Sequence, residues 1–421
     1  MRDGDDPTRS VTVAHPETPE VNSAQGRVPL TSIVDLLKAL VRTPSRAGED
    51  QAEPVLACVE KWSKTSGIVF RRVTGASGES LGLYAEISGS ALGTRRTQAY
   101  YVLNATLDTA GFGSLDTWHC QPTEAAILDG WLYGRGSGDS KAGAAIFCHL
   151  LTGLSRRSAA FSGRLGLLLD VDEHTGQFGG ARRFFDAMPT ARPDGVMIGY
   201  PGFDRIIVGS RGFLRARVVV SGVAAHSGGT RQRGVNAVVR AARLVGELEE
   251  SGFGIGATSS EFDHMPQLTV TAMRGGGSFS QIPDRCEIDL DLRLTPSFGA
   301  EDARSAVLAA IARHDAAHTT APATRMSWIE GWPAYRVPDN HPMVEAMLEA
   351  GRTVLGQELP TAVAGPSNIG NYLASIRIPA LCGFGVVSRN LHAADESIEL
   401  ASIEPVYRIY EHALLRLLAA A

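Results

Sequence analysis

The alternation of apolar and polar positions divides the chain into two styles. Near the start, apolar residues recur at helical spacing over residues 32–40 and 51–63. A strand-like run, AYYVL at 99–103, follows, and then an apolar helix at 142–154. The run RLGLLLD at Arg164–Asp170 has the character of a strand buried on both faces. A helix at 180–188 and a short strand at 195–199 continue the alternation, which predicts an α/β layered domain. After Pro201 the period changes. Gly212–Ser221 (GFLRARVVVS), 267–273 and 286–294 alternate like half-buried strands, with helices at 235–250 and 301–314. This mixture predicts a small α+β unit with one open sheet face. From about Gly331 the first style returns, with a helix at Pro342–Leu355, a strand near Ala380 and a helix at 403–418. The pattern predicts a polar leader at 1–27, an α/β domain made of 28–206 and 329–421, and an inserted unit at 207–328.

Composition narrows the function class. With 421 residues, 44% hydrophobic and 20% charged, the chain is ordinary globular material and long enough for two domains. Forty basic against 45 acidic residues, a net charge of −5, gives no reason to expect nucleic acid or an anionic membrane as partner. Five scattered cysteines with no CxxC argue against a disulfide framework and for a reducing compartment. The leader holds no apolar h-region and no run is long enough to span a bilayer, so a cytoplasmic location is expected.

Three acidic segments follow strand-like runs: 103–109 with Asp108, 133–143 with Asp139, and 170–176 with Glu173 and His174. A fourth, LHAADE, carries His392. Ligands of α/β sheets bind beyond the carboxyl ends of strands, so Asp139, Glu173, His174 and His392 can converge. Two histidines and a carboxylate form the ligand set of many catalytic zinc sites, and a further carboxylate beside them can serve as base. The residues by themselves equally fit a solvated Asp-Glu-His turn, a capping histidine and a flexible glycine turn. Arg274-Gly-Gly-Gly has neither P-loop spacing nor a dinucleotide-binding pattern. No base motif supports Cys120 as a nucleophile.

The phrase DGWLYGRGSGDSKAG at 129–143 resembles the signature of the zinc-dependent deacylases and exopeptidases, the family of acetylornithine deacetylase, succinyl-diaminopimelate desuccinylase, aminoacylase and glutamate carboxypeptidase. LVRTPSRAGED, SGVAAHSGG with GVNA, SQIPDRCEIDLDLRLTP and LHAADE extend the resemblance in order from about residue 30 to 415. It implies a phosphorylase/hydrolase-like three-layer catalytic domain with an inserted ferredoxin-like lid and dimerisation domain, a homodimer, and a small-molecule substrate with a carboxylate.

The resemblance implies two metals, and its ligands carry over unevenly. The bridging aspartate corresponds to Asp139, the general base to Glu173 and the last histidine to His392. His174 stands where a second glutamate usually binds one metal. The other metal's histidine corresponds to Thr106 and its acidic ligand to Tyr200. Asp108, which orients that histidine, is left without its partner. Both ligands exclusive to one metal are lost, which implies one zinc held by Asp139, His174 and His392, with cobalt, manganese or iron also suited to that set. The lid histidine that polarises the carbonyl corresponds to His226, while Asn236 and Arg293 match positions that hold the substrate's polar and carboxylate ends. Ser280 and Asn368 depart from an asparagine and an aspartate of the family. His119 is weighed as a replacement ligand, and Tyr200 as a phenol able to exchange a proton. Three functions fit: a one-metal amidohydrolase, a same-fold enzyme of non-hydrolytic biosynthesis, and a binding protein without turnover.

Overall fold

A computed structural model describes residues 30–91, 99–188, 192–230, 234–257 and 262–419. The expected leader at 1–27 lies outside the described residues. Helix Leu30–Val41 buries Ile33, Leu36, Leu37, Leu40 and Val41, the i, i+3, i+4, i+7 stripe its sequence prescribes. Helix Glu53–Ser66 starts with a proline in its first turn and ends on Gly67 at φ 79°, a left-handed position that costs glycine nothing.

The first sheet has six strands, in the order Arg71–Thr74, Ser80–Ser88, Arg164–Asp170, Tyr100–Thr106, Gly195–Ile198, Ala380–Leu381. The last four run parallel, and the first two add an antiparallel edge. Every residue of Tyr100–Thr106 is buried, as expected of a central strand covered on both faces. Helix Ala142–Ser155 is buried almost all round by the largest core cluster. The edge pair 71–88 was not foreseen. Its Ser, Gly and Glu positions interrupt the apolar run, and pairing with Arg164–Asp170 rather than local pattern makes it a strand.

A four-stranded antiparallel sheet is ordered Gln267–Gly275, Arg285–Leu294, Gly212–Ser221, Arg325–Trp332. With helices Ala237–Glu249 and Ala300–Ala317 between strands, the chain order is βαββαβ and the spatial order 4-1-3-2, a ferredoxin-like arrangement. Cys286, Ile288, Leu290, Leu292 and Leu294 point to the helices and join a second core cluster within 214–328. The opposite face is open and charged: Arg217 and Arg274 both pair with Asp289 at 2.7 Å. Strand Ile206–Ser210 instead pairs with Tyr335–Arg336 and Thr361–Ala364. Gly212–Ser221 and Arg325–Trp332 thus lie in the antiparallel sheet, and Ile206–Ser210 and Tyr335–Arg336 in a separate three-stranded one. Among the described residues no helix is long and apolar enough to cross a membrane.

Candidate metal centre

Three parallel strands, Tyr100–Thr106, Arg164–Asp170 and Gly195–Ile198, end side by side, and the chain just beyond each end bears Asp108, then Glu173 and His174, then Tyr200. Asp139 comes from the segment Ser137–Lys141, whose backbone leaves helical values at Asp139 and Ser140 before helix Ala142–Ser155 begins. The helix must press close here: a Cβ on Gly143 would lie 2.1 Å from the Gly199 carbonyl oxygen, so the signature's last glycine is a packing requirement. His392 arrives on a loop in which Asn390, His392 and Asp395 all have positive φ, at 54°, 61° and 58°.

Asp139, His174 and His392 each offer a ligand atom, and these atoms all lie within 4.8 Å of one another. Asp139 Oδ2 is 2.9 Å from His392 Nε2 and 3.7 Å from His174 Nε2. Both ring nitrogens of His174 and Oδ1 of Asp139 are buried without a hydrogen-bond partner. Such orphaned polar atoms carry a desolvation cost that a cation would offset. Burial opposes charge on His174, yet Asp108, Asp139 and Glu173 around it raise its imidazole to about 11. Burial also disfavours the Asp139 carboxylate, but His174 and His392 outweigh it and hold the group below the usual carboxylate range. The pocket therefore calls for positive charge, and its donors (one carboxylate, two imidazoles) fit zinc.

Asp108 is not left idle by the loss of a histidine at position 106. It accepts the Thr106 hydroxyl and the backbone N–H groups of Glu173 at 3.2 Å and His174 at 3.0 Å. Its Oδ2 also lies 3.4 Å from His174 Nδ1. The same nitrogen lies 3.4 Å from Glu173 Oε2, so Asp108 and Glu173 both face the His174 imidazole by charge rather than by a hydrogen bond. The expectation that it lacks a partner is corrected. Tyr200 donates its hydroxyl to Glu173 Oε1 at 2.6 Å. Burial lifts the Glu173 carboxyl to about 7; His174 opposes this, while Asp139 and Asp108 add to it. Burial, then Glu173 and Asp139, keep the Tyr200 phenol protonated, far above its ordinary value.

The remaining expected residues stand elsewhere. His226 is exposed on a two-residue strand paired with Gln281–Ile282, and its Nδ1 accepts the Gly228 N–H at 3.1 Å. Asn236 caps helix Ala237–Glu249, its oxygen accepting from Val238 at 2.9 Å and Val239 at 3.1 Å. Arg293 Nε pairs with Asp291 at 2.7 Å, and its Nη1 donates to Ser367 at 3.2 Å. His119 does not join the ligand cluster, and its Nδ1 faces Asp395.

Sequence reading missed the supports. Glu396, fully buried, accepts the N–H groups of Gly138 at 3.0 Å and Asp139 at 3.1 Å and pairs with buried Arg135 at 2.7 Å. Lys141, also buried, donates to the carbonyls of Leu40 at 2.9 Å, in the last turn of the first helix, and of Thr43 at 3.0 Å, just past its end. The signal for both was a charge within apolar or glycine-rich sequence, ambiguous until its partner is known.

A family model described as peptidase family M20/M25/M40 matches residues 102–416. Among curated proteins, succinyl-diaminopimelate desuccinylase of Cupriavidus taiwanensis is 27% identical over 320 residues, 74% of this chain and 80% of that one. The protein of the same name from Bordetella petrii is 25% identical over 398 residues, 92% of this chain and 98% of that one. Among solved structures, an M20 family metallo-carboxypeptidase from Sulfolobus solfataricus superimposes with a TM-score of 0.71 at 19% identity, covering 92% of this chain and 98% of the other. A Bacillus subtilis peptidase described as dinuclear metal binding gives a TM-score of 0.66 at 15% identity, covering 93% and 99%.

Proposed function

This chain belongs to peptidase family M20/M25/M40, and from that premise we propose that it hydrolyses the amide bond of an N-acyl amino acid or small peptide with one metal ion per chain. One observation carries the reading. Asp139, His174 and His392 converge on a single cation position, while Thr106 and Tyr200 are hydrogen-bonded to Asp108 and Glu173. The curated relatives named as desuccinylases support a substrate with a free carboxylate.

Asp139, His174 and His392 would hold the ion, with zinc the first choice and cobalt, manganese or iron chemically acceptable. A bound divalent cation supplies Lewis-acid charge that polarises a carbonyl and makes water acidic enough to attack near neutral pH. Glu173 takes the proton of the attacking water on Oε2, since Oε1 is engaged by Tyr200, and delivers it to the leaving amine. Arg293 binds the substrate carboxylate as a planar fork. His226 of a second copy donates to the developing oxyanion, because its exposed position leaves it free to reach into a neighbouring cleft. The working form is a homodimer. The five free cysteines support a reducing, cytoplasmic setting.

A second reading has one observation in its favour. The Tyr200–Glu173 contact forms a proton-transfer pair that suits a non-hydrolytic condensation or isomerisation. Elemental analysis of protein purified without chelator, with turnover of a panel of N-acyl amino acids, tests the proposal. One metal per chain, lost in His174→Ala, and amide cleavage lowered by about 10²–10⁴ in Glu173→Gln are expected. Two metals per chain refute the one-metal centre. No cleavage of any panel member, with Glu173 still needed for another reaction, favours the second reading.

A further inference from the structure

His392 is the most exposed of the three ligands, with 57% of its side chain open to solvent. A long side chain so placed needs its backbone held if it is to meet Asp139 in one geometry. The loop that bears it has three non-glycine residues in the left-handed region, Asn390, His392 and Asp395, residue types that enter this conformation more readily than others, so the loop's own backbone does little to fix the ring. Within the loop the bonds are few: Ala393 N–H to the Asn390 carbonyl at 2.9 Å and Asn390 Nδ2 to the Asp395 carbonyl at 3.4 Å.

The stronger ties leave the loop, through two neighbouring carboxylates. Glu396 grips the Asp139 segment, as described above. Asp395 grips the 118–120 segment: its Oδ1 accepts the backbone N–H of His119 at 2.8 Å and, more weakly, that of Cys120 at 3.4 Å, while its Oδ2 lies 2.5 Å from His119 Nδ1. The His119 ring is 89% exposed, whereas the Asp395 side chain is only 16% exposed. His119 therefore adds little apolar burial, and among the described residues its ring bonds to the loop that presents a ligand. Trp118 next to it is buried, donates its indole N–H to the Phe112 carbonyl at 2.8 Å and stacks on the Arg135 guanidinium, so the 118–120 segment is a firm anchor.

We propose that His119 and Asp395 form a latch that positions His392 for metal binding: His119 is a positioning residue, not a ligand. This rests on the metal centre assigned above. Without the latch, the loop relaxes and His392 must be reordered each time a cation binds, which weakens affinity without removing a donor atom.

The test is zinc affinity of the full chain, measured by competition with a chromophoric chelator, alongside the thermal midpoint of the metal-free protein. His119→Ala should raise the zinc Kd about tenfold, within the range seen when outer partners of metal ligands are removed. His119→Asn, which restores a donor near Nδ1, should recover most of the loss. Asp395→Ala, which removes all three contacts, should weaken binding further. The metal-free midpoint of His119→Ala should stay that of the wild type, because the ring is exposed. Unchanged zinc affinity in both alanine variants overturns the latch, as does His119→Asn behaving like His119→Ala. Failure of the wild-type chain to bind zinc, cobalt, manganese or iron instead overturns the metal centre itself, so the two failures are distinct.

Discussion

Tyr200 shows how one side chain can refit a site. A carboxylate at this position would add negative charge beside Asp139, Asp108 and Glu173, a load that a second cation normally neutralises. A phenol adds none, and its hydroxyl donates to Glu173 instead. Thr106 does the same for Asp108, and His174 takes up the carboxylate that Thr106 no longer competes for with an imidazole. The three departures are mutually consistent: Thr106 and Tyr200 each make a hydrogen bond to a carboxylate, and the His174 imidazole faces Asp108, Asp139 and Glu173. Hydrogen bonds to a charged group contribute about 1.5–3 kcal/mol. Tyr200→Phe should accordingly lower kcat by about 10–100-fold while metal content by elemental analysis stays that of the wild type. Loss of metal in that variant would mean that the phenol is itself a ligand.

At the scale of elements, three helices meet at His149. Its Nδ1 donates to the Ala145 carbonyl at 2.8 Å within helix Ala142–Ser155, so Nε2 is the acceptor, 2.9 Å from Ser32 Oγ of the first helix. Its ring lies 5.0 Å from that of Trp62 on the second helix. Burial pushes the imidazole below its ordinary value of 6.5, with the Ala145 bond opposing. The sign follows: below about pH 6.5 the unfolded chain binds a proton here that the native chain does not, so stability is present above that pH and falls as pH drops. Measured against His149→Gln, the wild-type urea midpoint should fall progressively as pH drops below about 6.5; the buried Glu173 carboxyl, protonated first in the native state, acts in the opposite sense in both proteins and cancels in the difference. A slope unchanged in the variant would assign the acid sensitivity to other groups. Arg135 and Glu396 are the ionic counterpart of this junction. Breaking a buried pair leaves a buried charge, so Arg135→Ala should cost about 3–5 kcal/mol in the same measurement.

For the whole molecule, the proposed role of His226 sets an exposed histidine against a buried centre. His226 sits on a small ribbon with Gln281–Ile282, next to Phe279, which is fully exposed. In the proposed homodimer each active site combines Glu173 of one copy with His226 of the other. Glu173→Gln and His226→Ala homodimers should each be nearly inactive, and mixing them through a dissociation step should restore about a quarter of wild-type activity. Half the dimers would then be mixed, each with one intact site. No recovery would place His226 in the site of its own chain.

Which parts were readable from sequence follows the range of the forces involved. Helices such as Pro342–Leu355 and strands such as Arg164–Asp170 and Gly212–Ser221 matched their patterns residue for residue, because amphipathic period and burial on both faces are local properties of side chains. The hairpin 71–88 and the strand Thr361–Ala364 were invisible, because their partners, not their own residues, make them strands. At the site, the convergence of Asp139, His174 and His392 was legible from motifs, and the Thr at 106 and Tyr at 200 were plain in the sequence. Tertiary structure alone decided that Asp108 turns to His174, that Tyr200 holds Glu173, and that Glu396 and Asp395 fasten the two ligand segments. Those contacts join residues as far apart as 276 positions, and a hydrogen bond of that span depends on where packing puts its two ends.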